Sequence, residues 1–209
     1  MLRARSDHHA FTGAFAAGAL VVLTSVALVP RTVSAQSLEV SAEDKISSTQ
    51  GSLAQALADS NSFGASVASF VDLDGDTITD LVVGISDDDT AGTDKGSLVV
   101  LFMNADGTVK AEQQVAEGVG GFVDSTAGSA RFGSSVANIG DLDGDTVDDL
   151  IVGGPGLDDG GTDRGAVWIL FMNTNGTVKG EQRISTNAGG FGGIIDDQDE
   201  FGASVSWLG

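Results

Sequence analysis

Aspartate recurs at alternate positions in two short stretches of the sequence that lie 69 residues apart. Both stretches place carboxylates at loop positions 1, 3, 5 and 9, and the residues are Asp72, Asp74, Asp76 and Asp80, then Asp141, Asp143, Asp145 and Asp149. Carboxylates at this density repel one another unless a cation neutralises them. Calcium accepts roughly six to eight oxygen ligands in flexible geometry, so the spacing predicts one calcium site in each stretch.

The remaining loop positions are compatible with such a site. Ile78 and Val147 at position 7 have no ligand atom in their side chains, and we expect each to supply its backbone carbonyl oxygen. Gly75 and Gly144 at position 4 permit a tight turn. The alternative is a pair of solvated acidic turns in which the Asp side chains cap their own backbone.

The sequence does not fit two other kinds of metal site, the EF-hand and the zinc site. An EF-hand loop requires Gly at position 6 and a bidentate Glu at position 12. The first stretch has Thr77 and Val83 there, and the second has Thr146 and Val152. Zinc is bound mainly by Cys and His, but the sequence has no Cys, and its two His precede residue 10. An oxygen-bound hard cation remains the favoured occupant.

Each acidic loop lies between two apolar segments inside a repeat of 69 residues. Residues 63–131 and 132–200 align without a gap, and 33 of the 69 positions are identical, which indicates duplication of one structural unit. The pattern predicts two strands joined by the loop, followed by a continuously apolar third strand and a fourth strand. The later strands are predicted at Ser97–Met103 and 108–116, and at Ala166–Met172 and 177–185. We predict an all-β fold with Phe63 and Phe132 in the core.

The order of these motifs resembles the FG-GAP repeat. Phe-Gly, the loop DLDGDxxxD and the apolar segments LVVG and LIVGGP carry the resemblance, which covers about residues 38–209. The family occurs in the propeller of integrin alpha subunits and in many secreted bacterial proteins, and this sequence looks like the bacterial type. The resemblance implies β-propeller blades of four antiparallel strands, with calcium held by the eight Asp and by the carbonyls of Ile78 and Val147. The family usually has Gly at loop position 6, where this sequence has Thr.

Residues 1–35 look like a secretory signal peptide. Arg3 and Arg5 precede an apolar run, and Val33-Ser34-Ala35 is a suitable cleavage site. A retained membrane anchor is the alternative. We therefore expect a secreted or cell-surface protein, which meets a membrane only through an uncleaved signal anchor.

Two further segments flank the repeats. Residues 36–62 match the end of a repeat and are predicted to form the last strand of a preceding or closing blade, with its crossover. The alternative is a chance match in a short segment. Residues 201–209 match 132–140 and are predicted to start a truncated third repeat. Because a propeller needs about four to eight blades, we expect the sequence to be an incomplete fragment of the ring.

The two repeats differ most in the stretch that follows the fourth strand, and less in the loop that follows the second. The Gly-rich stretches 117–131 and 186–200 diverge and are predicted to cross from one blade to the next. Acidic runs at Asp87–Asp89 and Asp158–Asp159 either line a rim of the blade or are solvated loop charge, and we favour solvated loop charge. Variable loops of this kind are where ligand specificity usually lies.

The composition narrows the class of function. Residues 1–35 contain one Asp and three Arg, and the other 174 residues carry 29 acidic and 7 basic side chains, a net charge of −22. We do not expect nucleic acid as a partner, because phosphate binding needs a basic face. Those residues also lack His, Cys and Tyr, so acid–base catalysis would depend on Asp, Glu or Lys, and we do not expect an enzyme.

The favoured function is an extracellular calcium-binding propeller, with calcium in a structural role. We expect it to mediate adhesion or to bind an extracellular protein or glycan ligand. Two alternatives remain open at this point, namely the non-catalytic propeller portion of a secreted hydrolase and a structural surface-layer component.

Overall fold

Strands account for all the regular secondary structure in the residues that the structure describes. The computed structural model describes residues 43–55 and 57–208, which fall within one compact unit, Ala42–Gly209. The first four strands are β1 (Phe63–Phe70), β2 (Asp80–Ile85), β3 (Ser97–Met103) and β4 (Val109–Val115). The second four are β5 (Ser135–Gly140), β6 (Asp149–Gly154), β7 (Ala166–Met172) and β8 (Val178–Ile184). The predicted all-β fold is confirmed.

Each set of four strands forms one antiparallel sheet in sequence order, β1-β2-β3-β4 and β5-β6-β7-β8. In the first sheet, Val82 of β2 pairs with Ala68 on one side and with Val100 on the other. Ile151 has the equivalent pairing in the second sheet. Two such meanders from consecutive repeats are two blades of an incomplete β-propeller, called blade 1 and blade 2 below.

Alternate residues of β3 enter two different cores, because successive side chains in a strand point to opposite faces. Leu98, Val100 and Phe102 join the core that blade 1 shares with blade 2. The other set joins a second core, which is covered by Leu53 and by the partly buried Phe63. The continuously apolar sequence of β3 therefore serves two apolar neighbours.

An aromatic cluster lies in the core between the blades. Phe132 stacks on Phe122 with the ring centroids 4.7 Å apart, and both rings meet Trp168 edge-on. All three side chains are fully buried. Phe132 thus packs in the core as predicted, whereas Phe63 is only half-buried on the opposite side of blade 1.

Glycine permits the close approach of consecutive repeats. A Cβ at Gly84 would lie 2.0 Å from the carbonyl oxygen of Gly133, and one at Gly153 would lie 1.9 Å from that of Gly202. The hydroxyl of Ser66 donates a hydrogen bond to the same Gly133 carbonyl at 2.7 Å. The Phe-Gly starts of the second and third repeats, at Gly133 and Gly202, therefore dock on the second strand of the blade before them.

The segment before β1 contacts blade 1 in the way that the first crossover contacts blade 2. The amide of Val109 donates to the carbonyl of Gly51 at 2.9 Å, and the amide of Val178 donates to that of Gly120 at 2.8 Å. The two pairs of residues are related by the repeat length of 69. This agreement supports our proposal that residues 36–62 are the end of a preceding or closing repeat.

The start of the third predicted repeat docks on blade 2. Phe201 forms a parallel bridge with Gly165, just as Phe132 does with Gly96. The equivalence supports the proposed boundary between the second and third repeats at residues 200 and 201.

The predicted signal peptide, residues 1–35, lies outside the described residues, as does the chain from 36 to 42. Within the described part of the chain, no helix is long and apolar enough to span a membrane.

Candidate metal centre

Both acidic loops connect the first and second strands of their blades, and so occupy equivalent places. The first runs from the end of β1 at Phe70 to the start of β2 at Asp80. The second runs from Gly140 to Asp149. The carboxylate at loop position 9 is in each case the first residue of a strand, which fixes it to the rigid part of the blade.

The carboxylate at loop position 1 closes the turn. Oδ1 of Asp72 accepts hydrogen bonds from the amides of Gly75 and Asp76 at 2.8 and 2.9 Å, and Oδ2 accepts one from Thr77 at 2.9 Å. Asp141 accepts the equivalent three at 2.7, 3.0 and 2.8 Å. In both loops the three backbone donors hold this carboxylate in a fixed orientation.

The carboxylate at loop position 9 is buried and ties the loop to the third strand. Asp80 is fully buried, and its two oxygens accept hydrogen bonds from the amides of Leu73 at 2.9 Å and Met103 at 3.0 Å. Asp149 is equally buried and accepts the equivalent pair. Burial raises the pKa of Asp149, and the negative charge of nearby Asp143 adds to the rise. A cation beside this carboxylate would offset part of its desolvation.

Three carboxylates converge in each loop, from positions 1, 3 and 9. One oxygen of each lies within 4.8 Å of the other two; the residues are Asp72, Asp74 and Asp80, and Asp141, Asp143 and Asp149. Oxygens that bind a single calcium ion at about 2.3–2.6 Å must lie within about 5 Å of one another. The structure thus brings together three of the four predicted carboxylates in both loops.

The carboxylate at loop position 5 is not a member of that group and binds a lysine instead. Oδ1 of Asp76 accepts a hydrogen bond from the amide of Ile78 at 2.9 Å, and Oδ2 binds the ammonium of Lys110. The same ammonium lies 2.6 Å from Oδ2 of Asp74. The second loop repeats this arrangement with Lys179.

These lysines belong to the fourth strands and were missed in the sequence. The hydrogen bond from Lys110 lowers the pKa of Asp76, and bonds to Asp74 and Asp76 raise the pKa of Lys110 in turn. In the second loop, the hydrogen bond from Lys179 lowers the pKa of Asp145, and the bonds to Asp143 and Asp145 raise the pKa of Lys179. The available signal was that the two lysines are identical residues at equivalent positions of the repeat.

Loop positions 6 and 7 behave differently from each other. Thr77 and Thr146 have φ angles of 74° and 77°, in the left-handed region that favours Gly. The side chains of Ile78 and Val147 pack against the two apolar cores. Only the backbone of position 7 is left to meet a cation, and its carbonyl as a ligand stays a prediction.

The donor set fits a hard divalent cation. It consists of carboxylate oxygens, without nitrogen or sulfur, and calcium prefers such ligands. A lysine ammonium already binds two carboxylates of each loop, so this part of the loop accommodates positive charge. The predicted ligands, with Asp76 and Asp145 reoriented towards the other carboxylates, could hold one calcium ion per loop.

The acidic run after β2 is not uniformly solvated. Asp88 is buried and accepts hydrogen bonds from the side chains of Thr90, Ser97 and Gln114. The interpretation of this residue as solvated loop charge is therefore wrong. We call the loop between the second and third strands of a blade its rim, residues 86–96 in blade 1 and 155–165 in blade 2. Blade 2 has a buried Leu157 at the equivalent position, so this hydrogen-bonded carboxylate supports the rim of blade 1 but not that of blade 2.

Comparison with known proteins links the blades to one family. Residues 132–170, which include the second acidic loop, match the FG-GAP repeat. The chain is 32% identical to integrin alpha-4 of Xenopus laevis over 135 residues. It is 30% identical to integrin alpha-11 of Mus musculus over 150 residues, and 34% identical to integrin alpha-11 of Homo sapiens over 132 residues. These alignments cover 62, 68 and 60% of this chain, but only 12, 11 and 10% of the relatives. The chain therefore spans about a tenth of their length.

Proposed function

This chain is an FG-GAP repeat protein related to integrin alpha subunits, and from that premise we propose that each acidic loop binds one calcium ion. Its blades form a propeller domain of the adhesion type. The calcium has a structural role: it holds the hairpin loop against the blade. The ligands are the carboxylates at positions 1, 3, 5 and 9 and the carbonyl of Ile78 or Val147.

One observation carries the proposal, namely the convergence of three carboxylate oxygens in both loops. The same three members are retained at equivalent places, although 36 of the 69 aligned positions differ between the two repeats. The backbone hydrogen bonds of Asp72 and Asp141 orient those carboxylates without neutralising them. Turn capping and cation binding are therefore compatible roles for the same side chains.

The contacts of Asp80 and Asp149 indicate how calcium would stabilise a blade. Each carboxylate joins its loop to the last residue of the third strand, Met103 or Met172. A cation bound to that carboxylate and to positions 1 and 3 would link the hairpin to the middle of the sheet. Any ligand that binds only the folded state stabilises it by RT ln(1 + [L]/Kd), or about 1.4 kcal/mol per loop at ten times Kd.

The proposed setting is extracellular, either secreted or at the cell surface. The likeness to integrin alpha subunits supports binding of an extracellular protein or glycan by the complete propeller. A non-enzymatic adhesion role also agrees with an acidic chain whose described part has no Cys, His or Tyr. The divergent crossovers at 117–131 and 186–200 are the segments that we propose for contacts with this ligand.

The melting temperature of the full chain tests the metal proposal. At fixed ionic strength it should rise with millimolar calcium and fall on chelation. Magnesium should substitute poorly, because it demands tighter octahedral geometry and releases its waters reluctantly. Sodium should screen the acidic surface without filling the loops. An equal response to sodium and calcium would leave the loops as acidic turns and overturn the proposal.

A further inference from the structure

A lysine ammonium bridges the carboxylates at loop positions 3 and 5 in both blades. Lys110 Nζ lies 2.6 Å from Oδ2 of Asp74 and also binds Asp76. Lys179 Nζ lies 2.8 Å from Oδ2 of Asp143 and also binds Asp145. The lysine side chains are 35% and 26% exposed, so each ammonium is partly withdrawn from solvent against the loop.

The carboxylate at position 3 has two competing uses. Asp74 contributes one oxygen to the convergent group with Asp72 and Asp80, and another to Lys110. Asp76 lies outside that group and is held by the same ammonium. A divalent ion that takes all four carboxylates must therefore draw positions 3 and 5 away from the lysine.

We propose that Lys110 and Lys179 are built-in counter-ions that weaken and tune metal binding by the two loops. In the metal-free protein each ammonium neutralises part of the repulsion among four carboxylates, and so keeps the loop folded. In the metal-bound protein the same ammonium opposes the ion, because two positive charges share one set of carboxylates. The inference rests on the proposed calcium sites and identifies the residues that set their affinity.

The arrangement has a consequence for selectivity. A monovalent cation brings the same charge as the ammonium and has to compete with a group that is covalently held in place. A divalent cation brings twice that charge and gains from all four carboxylates. The lysine therefore raises the charge that an ion must carry in order to enter the loop.

Substitution of each lysine by Met tests the inference, because Met keeps a long apolar side chain and removes the charge. The variants are Lys110→Met, Lys179→Met and the double variant of the full chain, titrated with calcium by calorimetry at fixed ionic strength. We expect calcium to bind the altered loop roughly tenfold more tightly, in line with the removal of one unit charge at a partly exposed site. The melting temperature in chelator should fall.

Lys95→Met is the matched control. Lys95 pairs with Glu117 at 2.8 Å, away from the acidic loops, and its side chain is 22% exposed. This variant changes the net charge of the protein by the same amount, and we expect its calcium affinity to equal that of the wild type. Lys110→Arg, which keeps the charge, should also bind calcium less tightly than Lys110→Met does.

The outcomes separate this inference from the proposal on which it rests. Calcium uptake by the wild type together with unchanged or weaker binding by the Met variants would overturn the counter-ion role and leave the calcium sites standing. The absence of calcium uptake by every variant would overturn both. An unchanged melting temperature of the Met variants in chelator would also contradict the role. Each single variant retains one unaltered loop as its internal reference if the double variant does not fold.

Discussion

The two blades have the same acidic loop but secure their rims with different residues. The hydrogen bonds to Asp72 and Asp141 differ by no more than 0.1 Å. At the rim, by contrast, the buried Asp88 of blade 1 is replaced by the buried Leu157 in blade 2. Duplication has thus kept the chemistry of the loop and allowed the surrounding support to change.

The crossovers show the same divergence. In the first, Glu117 accepts hydrogen bonds from Lys95 and from the amide and hydroxyl of Thr126, all at 2.8 Å. Thr186 takes the place of Glu117 in the second, and its hydroxyl oxygen is buried without a hydrogen-bond partner among the described residues. Arg164, the residue equivalent to Lys95, instead pairs with Asp197 of the second crossover at 2.8 Å. Both crossovers are therefore held by an ion pair, but through carboxylates at different positions.

The first crossover also attaches to the next blade. Asp124 accepts a hydrogen bond from the indole nitrogen of Trp168 at 2.8 Å and another from Arg183 at 3.2 Å. The residue equivalent to Asp124 in the second repeat is Gly193, which has no side chain for such contacts. The described contact between blades 1 and 2 thus combines the aromatic cluster with the hydrogen bonds that Asp124 accepts.

Equivalent aromatic residues provide the strongest test of this difference. Phe122 is fully buried in the aromatic cluster, whereas Phe191, its counterpart, is 41% exposed. Phe122→Ala should destabilise the protein by about 3–5 kcal/mol, because it removes a buried ring and leaves a cavity. Phe191→Ala should cost about 1 kcal/mol or less, since much of the ring already meets water. Denaturant unfolding measures both changes in unfolding free energy. Equal losses of stability for the two variants would contradict the proposed role of the aromatic cluster between the blades.

The crossover network predicts a smaller effect that depends on pH. The hydrogen bond from Lys95 is the main cause that lowers the pKa of Glu117, with help from Thr126. A lowered pKa means stabilisation that is present above the ordinary glutamate pKa and is lost as pH falls through the folded value. Glu117→Gln should cost about 1 kcal/mol at neutral pH, and the difference from wild type should vanish in acid.

The equivalent position in the second crossover supplies the control for that measurement. Thr186→Val removes a buried hydroxyl that has no partner among the described residues, so it should be neutral or stabilising at every pH. Unfolding free energies of wild type and both variants across the acid range would check this. A loss for Glu117→Gln that is constant with pH would rule out the charged network.

Loop position 6 predicts the smallest effect and should be the same in both blades. Thr77→Gly and Thr146→Gly relieve a left-handed conformation that costs a β-branched residue roughly 1–2 kcal/mol, but they also increase the entropy of the unfolded chain. A net gain of about 0.5 kcal/mol or slightly more is expected for each. Thr79→Gly, at a loop position that is not among those with positive φ, should destabilise instead. A loss of stability for the position-6 variants would contradict the assigned strain.

Local patterns in the sequence are sufficient to predict the blade and the place of its loop. The continuous apolar runs match β3 and β7 at both ends, Ser97–Met103 and Ala166–Met172. The predicted fourth strands are one residue longer at each end than Val109–Val115 and Val178–Ile184. The periodicity that defines a strand and the turn that ends it lie within a few residues of each other, and this is why such features can be predicted.

Long-range side-chain pairs could not be predicted in this way. Lys110 meets Asp76 across 34 residues, and Gln114 meets Asp88 across 26. Only the stacking of β1 to β4 into one sheet brings these partners together, so a loop examined alone cannot reveal them. The same reasoning applies to Asp88, which lies between two other aspartates in the sequence but is buried by partners from other parts of the sheet.

Calcium titration of the full chain by calorimetry tests the central claim most directly, because it counts the ions that the two loops hold. The predicted result is two calcium ions per chain, with affinity on the order of 10⁻⁴ to 10⁻³ M. Asp74→Ala and Asp143→Ala should each remove one ion, and the double variant should bind neither. Asp106→Ala, in the turn between β3 and β4 of blade 1, should retain both. Unchanged calcium uptake by the Asp74→Ala and Asp143→Ala double variant would contradict the assignment of the two loops as metal sites.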